Sequence, residues 1–162
     1  MAKEEYSFED FLANVNPVYH EFVTGLNAHI SGKGCGTKLE MAKSGFVLSY
    51  LVGKKKKTML NFVFRKDGLV IRIYADNLSS YAGLLDGLPQ EMKETMAKAP
   101  LCKRLHDPTA CSSRCPMGYT YTLEGNEYKK CRYSAVMFAV KQEYIPAIEE
   151  IVKKELEARL SA

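Results

Sequence analysis

No apolar stretch in the 162-residue chain approaches the ~20 residues needed to span a bilayer, and the longest, Phe46 to Val52, is interrupted by Ser49. A transmembrane helix is therefore excluded, and no membrane partner is expected. Internal repeats are missing, and the only low-complexity tract is Lys54–Lys57, which removes collagen-like and coiled-coil architectures. The start of the chain lacks the basic region and following apolar region of a secretory signal. Met1-Ala2-Lys3-Glu4-Glu5 carries acids instead, so the expectation is a cytoplasmic protein. Tryptophan is absent, against ten tyrosines. What is present, 46% hydrophobic and 26% charged residues, is the composition of a globular domain. A chain of this length fits a single domain, 1–162, that can bury about 70% of its unfolded surface.

The net charge of +4 is unevenly placed. Between Lys98 and Tyr133 seven basic residues stand against three acids, and the remainder has sixteen of each. The same segment holds four of the five cysteines, Cys102, Cys111, Cys115 and Cys131, with Cys35 alone upstream. A reducing compartment and an odd cysteine total both argue for metal-binding, reactive or buried thiols over a disulfide framework.

Helix signals come first. Ser7-Phe8-Glu9-Asp10 has capping-box spacing, Asn16-Pro17 supplies a cap followed by proline, and Val18, Phe22, Leu26 and Ile30 form one apolar stripe ending near Gly32. The glycine-rich stretch 31–37 reads as a loop. It lacks the spacing of a phosphate-binding loop and follows a helix instead of a strand.

Three strands are expected at Phe46–Val52, Thr58–Arg65 and Leu69–Ala75, joined by the lysine turn and by Lys66-Asp67-Gly68 in an antiparallel meander. Helical segments follow at Asn77–Asp86 and Pro89–Ala99. Residues 101–117 form a cysteine-rich excursion with at most one helical turn. Gly118–Leu123 and Glu127–Tyr133 flank a Gly125-Asn126 turn, Ala135–Val140 continues as strand, and Pro146–Leu160 closes the chain as a helix. On this reading Tyr121 faces Lys130 and Thr120 faces Cys131 across the hairpin. Runs of antiparallel strands between helices give the α+β class: one antiparallel sheet of about five to six strands with helices packed on it.

Lys55-Lys56-Lys57-Thr58-Met59-Leu60 leading into a strand, the Gly68–Ala75 strand, the helix start at Leu88-Pro89 and the Val140–Leu156 passage from strand to helix resemble a family of small uncharacterised bacterial proteins labelled YdhG-like or iron-chaperone-like. The resemblance covers about residues 44–100 and 134–158, with no match for the cysteine segment. It implies the fold and no particular reaction, since a fold does not fix a function.

The spacing Cys102-x8-Cys111-x3-Cys115-x15-Cys131 could close a tetrahedral structural zinc site, with Cys111 and Cys115 on one turn and His106 as a substitute ligand. Free buried or semi-exposed thiols, and a disulfide or redox pair, are the competing readings. A thiol-dependent enzyme is the rival function, because Lys103, Arg104, Arg114 and Arg132 could favour a thiolate, with His106 and Asp107 close in sequence. The tyrosines suggest a ligand pocket drawn from Tyr50, Tyr74, Tyr119, Tyr121, Tyr128 and Tyr133. Lysines at a hairpin tip and a net charge of +4 are too little for a dedicated nucleic-acid binder, which leaves weak binding as a second alternative. Glu149, Glu150, Glu155 and Glu157 are expected on the solvated face of the last helix. The preferred reading is a non-catalytic module that binds a small molecule or a protein partner.

Overall fold

A computed structural model describes residues 5–66, 68–107, 109–112 and 114–161. Asp67 of the second turn, Pro108 and Ser113 of the excursion, Met1 to Glu4 at the start of the chain, and Ala162 lie outside them. The class is α+β, with a five-stranded antiparallel sheet, a separate two-stranded sheet and five α-helices among the described residues.

Helix α1 (Phe8–Leu12) starts at the capping box: the Ser7 hydroxyl accepts from the Asp10 amide and the Asp10 carboxylate accepts from the Ser7 amide. Asn16 caps a short 3-10 turn that runs into α2 (His20–Ser31). The strands β1 (Gly36–Ala42), β2 (Gly45–Val52), β3 (Lys57–Arg65) and β4 (Gly68–Ile73) form a meander, and β7 (Met137–Ala139) pairs antiparallel with β4 to give the order β1-β2-β3-β4-β7. Phe46, Leu48, Tyr50 and Val52 alternate onto the buried face of β2, where Phe11 of α1 and Phe22 of α2 meet Phe62 of β3. Helix α5 (Ile145–Leu160) lies on the same core through Ile148, Ile151, Val152 and Leu156.

The strand β1 has no counterpart in the sequence reading. Its residues Thr37, Leu39 and Met41 alternate with Lys38 and Glu40, but an edge strand exposed along most of its length carries too little apolar signal to stand out beside three glycines. Residues 78–87 form a 3-10 helix kinked at Tyr81, whose φ is −134°, α3 (Gln90–Lys98) follows Pro89, and the one-turn α4 (Lys103–His106) lies in the cysteine-rich excursion.

The strands β5 (Tyr119–Leu123) and β6 (Asn126–Lys130) form their own sheet. Their register differs from expectation: Tyr119 faces Lys130, Thr120 faces Lys129 and Tyr121 faces Tyr128. The turn residues are Glu124 and Gly125, both at positive φ (50° and 84°), the combination a tight two-residue hairpin demands. Moving the turn one residue towards the N-terminus shifts every pairing by two and leaves Cys131 beyond the strand. The buried face of Tyr119, Tyr121 and Leu123 is unchanged, because a shift of two preserves the pleat. No helix among the described residues is long and apolar enough to cross a membrane.

Candidate functional site

A cleft of about 730 Å³ opens where the two sheets meet. It is walled by Lys56, Lys57 and Thr58 at the start of β3, by Tyr74 and Asp76 after β4, by Pro116, Met117 and Gly118 before β5, and by Tyr119, Arg132 and Tyr133. Each wall has a local cause. The Tyr74 amide donates to the Met59 carbonyl at 2.7 Å, which carries the β4 backbone past the end of the strand. The Arg72 Nε donates to the Tyr133 carbonyl at 2.7 Å and ties the turn after β6 to the main sheet.

Asp76 is the hub. Its Oδ1 accepts from the Tyr119 hydroxyl at 2.9 Å and pairs with the Arg132 guanidinium at 3.1 Å, and its Oδ2 pairs with Arg159 at 3.1 Å. Arg132 also lies 5.1 Å from the Tyr74 ring centroid and 5.7 Å from that of Tyr119, within reach of cation–π attraction. Tyr74 and Tyr133 meet edge to face at 5.8 Å. Burial, and then the Asp76 carboxylate, push the Tyr119 phenol well above its ordinary value of 10.0, so it stays a donor. Burial alone would lower Arg132, but the neighbouring Tyr119 and Asp76 outweigh it and hold the guanidinium charged.

Behind the hub, Arg159 of α5 donates to the carbonyls of Lys57, Thr58 and Tyr74, and pairs with Glu155 at 2.9 Å. Glu155 is fully buried and also accepts from the Asn77 amide and side chain and from the Tyr81 hydroxyl. This corrects the expectation of a solvated Glu155. Four residues after Ile151 and next to Leu156, it falls within the apolar stripe of α5, and the i,i+4 spacing to Arg159 was the signal available in the sequence.

Of the six tyrosines proposed as a pocket, the cleft gathers Tyr74, Tyr119 and Tyr133. Tyr50 is buried in the main core with its hydroxyl on Asn27, Tyr121 donates to the Met96 carbonyl, and Tyr128 lies against Tyr121 and Lys130. Asp76 and Arg159 have no signal in the sequence, and Arg132, expected beside a thiol, pairs with Asp76 instead, because residues so far apart in sequence reveal their association only once the chain is folded.

The four clustered thiols are spread over different settings. Cys102 is buried, and its sulfur accepts from the Gly118 amide at 3.2 Å. Cys111 is exposed, while Cys115 and Cys131 are half-buried. Residues 100–102 pair along β6, with the Cys102 amide donating to the Lys129 carbonyl and the Cys131 amide to the Pro100 carbonyl. Arg104, expected to act on a thiol, instead donates to the Cys115 carbonyl. Asp107 is engaged by the Thr109 amide and hydroxyl, which hold its carboxyl below the usual range. Among the described residues no group of three or more histidine, cysteine, aspartate or glutamate side chains is placed to hold a metal ion.

Two positions in the cleft wall have unusual backbone. Met117, at φ 80°, is in a conformation costly for a side chain of its kind, and Lys56 has φ 46°. Gly118 is constrained in another way: a Cβ there would collide with the Lys130 carbonyl and with Cys102. No family model, no curated protein and no solved structure matches this chain, so its fold and this cleft carry the functional argument.

Proposed function

We propose that the chain is a binding module whose cleft accepts a small molecule bearing a flat ring and an anionic group. The observation that carries this reading is the pairing of open aromatic surface with fixed positive charge: Tyr133, 46% exposed, stands beside Tyr74, and Arg132 is held in place by Asp76. Three cations in the lining, Lys56, Lys57 and Arg132, face one carboxylate, which favours an anion. A volume of about 730 Å³ is within the usual range for small-molecule sites. Arg132 and Tyr119 are already oriented by partners inside the protein, so little ordering remains for a ligand to bring about.

The test is calorimetric titration with phenyl phosphate, benzoate and a nucleoside monophosphate, alongside neutral analogues of the same rings. Ring-bearing anions are expected to bind and the neutral analogues to bind more weakly. Tyr133→Ala and Lys56→Ala are each expected to weaken binding by about tenfold, with melting temperature preserved because both side chains sit at the surface. Absence of heat and of thermal stabilisation with every ring-bearing anion would overturn the reading.

A further inference from the structure

We propose that β1 is a self-complementary edge through which two copies of this chain join their sheets. The strand is seven residues long, contains no proline, and among the described residues pairs on one side only, with β2. Such an edge presents unpaired backbone groups, and the usual means of blunting it are a bulge, a proline, unmatched charge or a short strand. Here the only charges are one lysine and one glutamate, which cancel.

The orientation of the backbone follows from the hairpin. Ala42 and Gly45 face each other across the two-residue turn Lys43-Ser44, and a tight turn closes on a pair that exchanges both main-chain bonds. Alternation then directs the backbone groups of Ala42, Glu40 and Lys38 towards β2 and those of Met41, Leu39 and Thr37 towards the open side.

An antiparallel pairing about a two-fold axis at Leu39 satisfies every one of those outward groups. Leu39 meets Leu39, and Thr37 meets Met41 in both directions, for about six main-chain hydrogen bonds. Lys38 falls opposite Glu40 at both positions where side chains approach most closely. Within one chain these two residues are exposed and pair with each other at 3.2 Å, with no other ion-pair partner among the described residues. Met41, 53% exposed, gains cover on the face that continues the core side of the sheet. A second copy of the chain is therefore the partner that fits in hydrogen bonding, charge and apolar surface together.

Sedimentation velocity of the full chain from about 1 µM to about 500 µM is expected to show a reversible dimer. Lys38→Glu and Glu40→Lys each set like charges across the pairing twice, and each is expected to raise the dissociation constant about tenfold, whereas the double variant restores it. These exposed side chains can be reversed without loss of the fold, which an unchanged melting temperature verifies. Leu39→Pro, which removes an outward N–H at the axis, is expected to leave monomer only. A parent chain that stays monomeric throughout, a dimer indifferent to the single reversals, or a double variant that fails to recover would each overturn the proposal.

Discussion

The five-stranded sheet and the segment from 100 to 133 are held by different physics. In the sheet, rows of apolar side chains interlock with α1, α2 and α5, and Phe62 alone touches Phe11, Phe22 and Tyr50. The β5–β6 hairpin buries a narrower face, Tyr119, Tyr121 and Leu123, and is fastened by polar groups: Tyr119 and Arg132 to Asp76, Tyr121 to the Met96 carbonyl, Glu124 to Lys93. Close apolar packing resists deformation without orienting polar groups, whereas hydrogen bonds and ion pairs fix orientation. A cleft whose walls come from both regions thus inherits a rigid floor and an oriented set of polar side chains.

Phe62→Ala should have the largest effect, a loss of about 4 kcal/mol in unfolding free energy by chemical denaturation, because it empties the centre of the main core. Glu155→Gln should cost about 3 kcal/mol, since it leaves the buried Arg159 guanidinium with less compensation while preserving shape. The two differ in readout: Glu155→Gln should also weaken ring-anion binding through the Asp76 hub, and Phe62→Ala should leave the affinity of the remaining folded protein unchanged. Equal effects on binding would break the distinction between the regions.

Alkaline pH sharpens the same comparison. Burial raises the phenols of Tyr50, Tyr81, Tyr119 and Tyr121 above their ordinary 10.0, with Glu155 adding to Tyr81 and Asp76 to Tyr119. The unfolded chain releases these protons near pH 10 while the folded chain retains them, so the unfolded state binds fewer protons and stability falls as pH rises beyond about 10. Melting temperature against pH should be free of this decline below that point. The smallest effect is in thiol labelling. Iodoacetamide should modify exposed Cys111 first and buried Cys102 only on unfolding. A structural zinc on Cys102, Cys111, Cys115 and Cys131 would instead protect all four together until a chelator is added, with about one metal per chain.

Legibility in the sequence followed the same division. Strands β2, β3 and β4 and helix α5 were readable because alternation and helical periodicity report burial directly, as in Phe46, Leu48 and Tyr50 or Ile148, Ile151 and Val152. The hairpin was recognisable, but its register depended on whether Glu124 would accept a positive φ, which a glycine in the next position obscured. In the cleft, Tyr74, Tyr119 and Tyr133 could be named as a class. The bonds from Tyr119 and from Arg159 to Asp76 join residues 43 and 83 positions apart and have no periodic trace.

Gly118 has a consequence for mutational tolerance. With no room for even one methyl group between Cys102 and Lys130, a saturation library at this position should return glycine almost alone. Gly125, with open space around it and φ 84°, should admit asparagine and aspartate as well. Two glycines seven positions apart would then show opposite substitution profiles, one set by volume and the other by chirality.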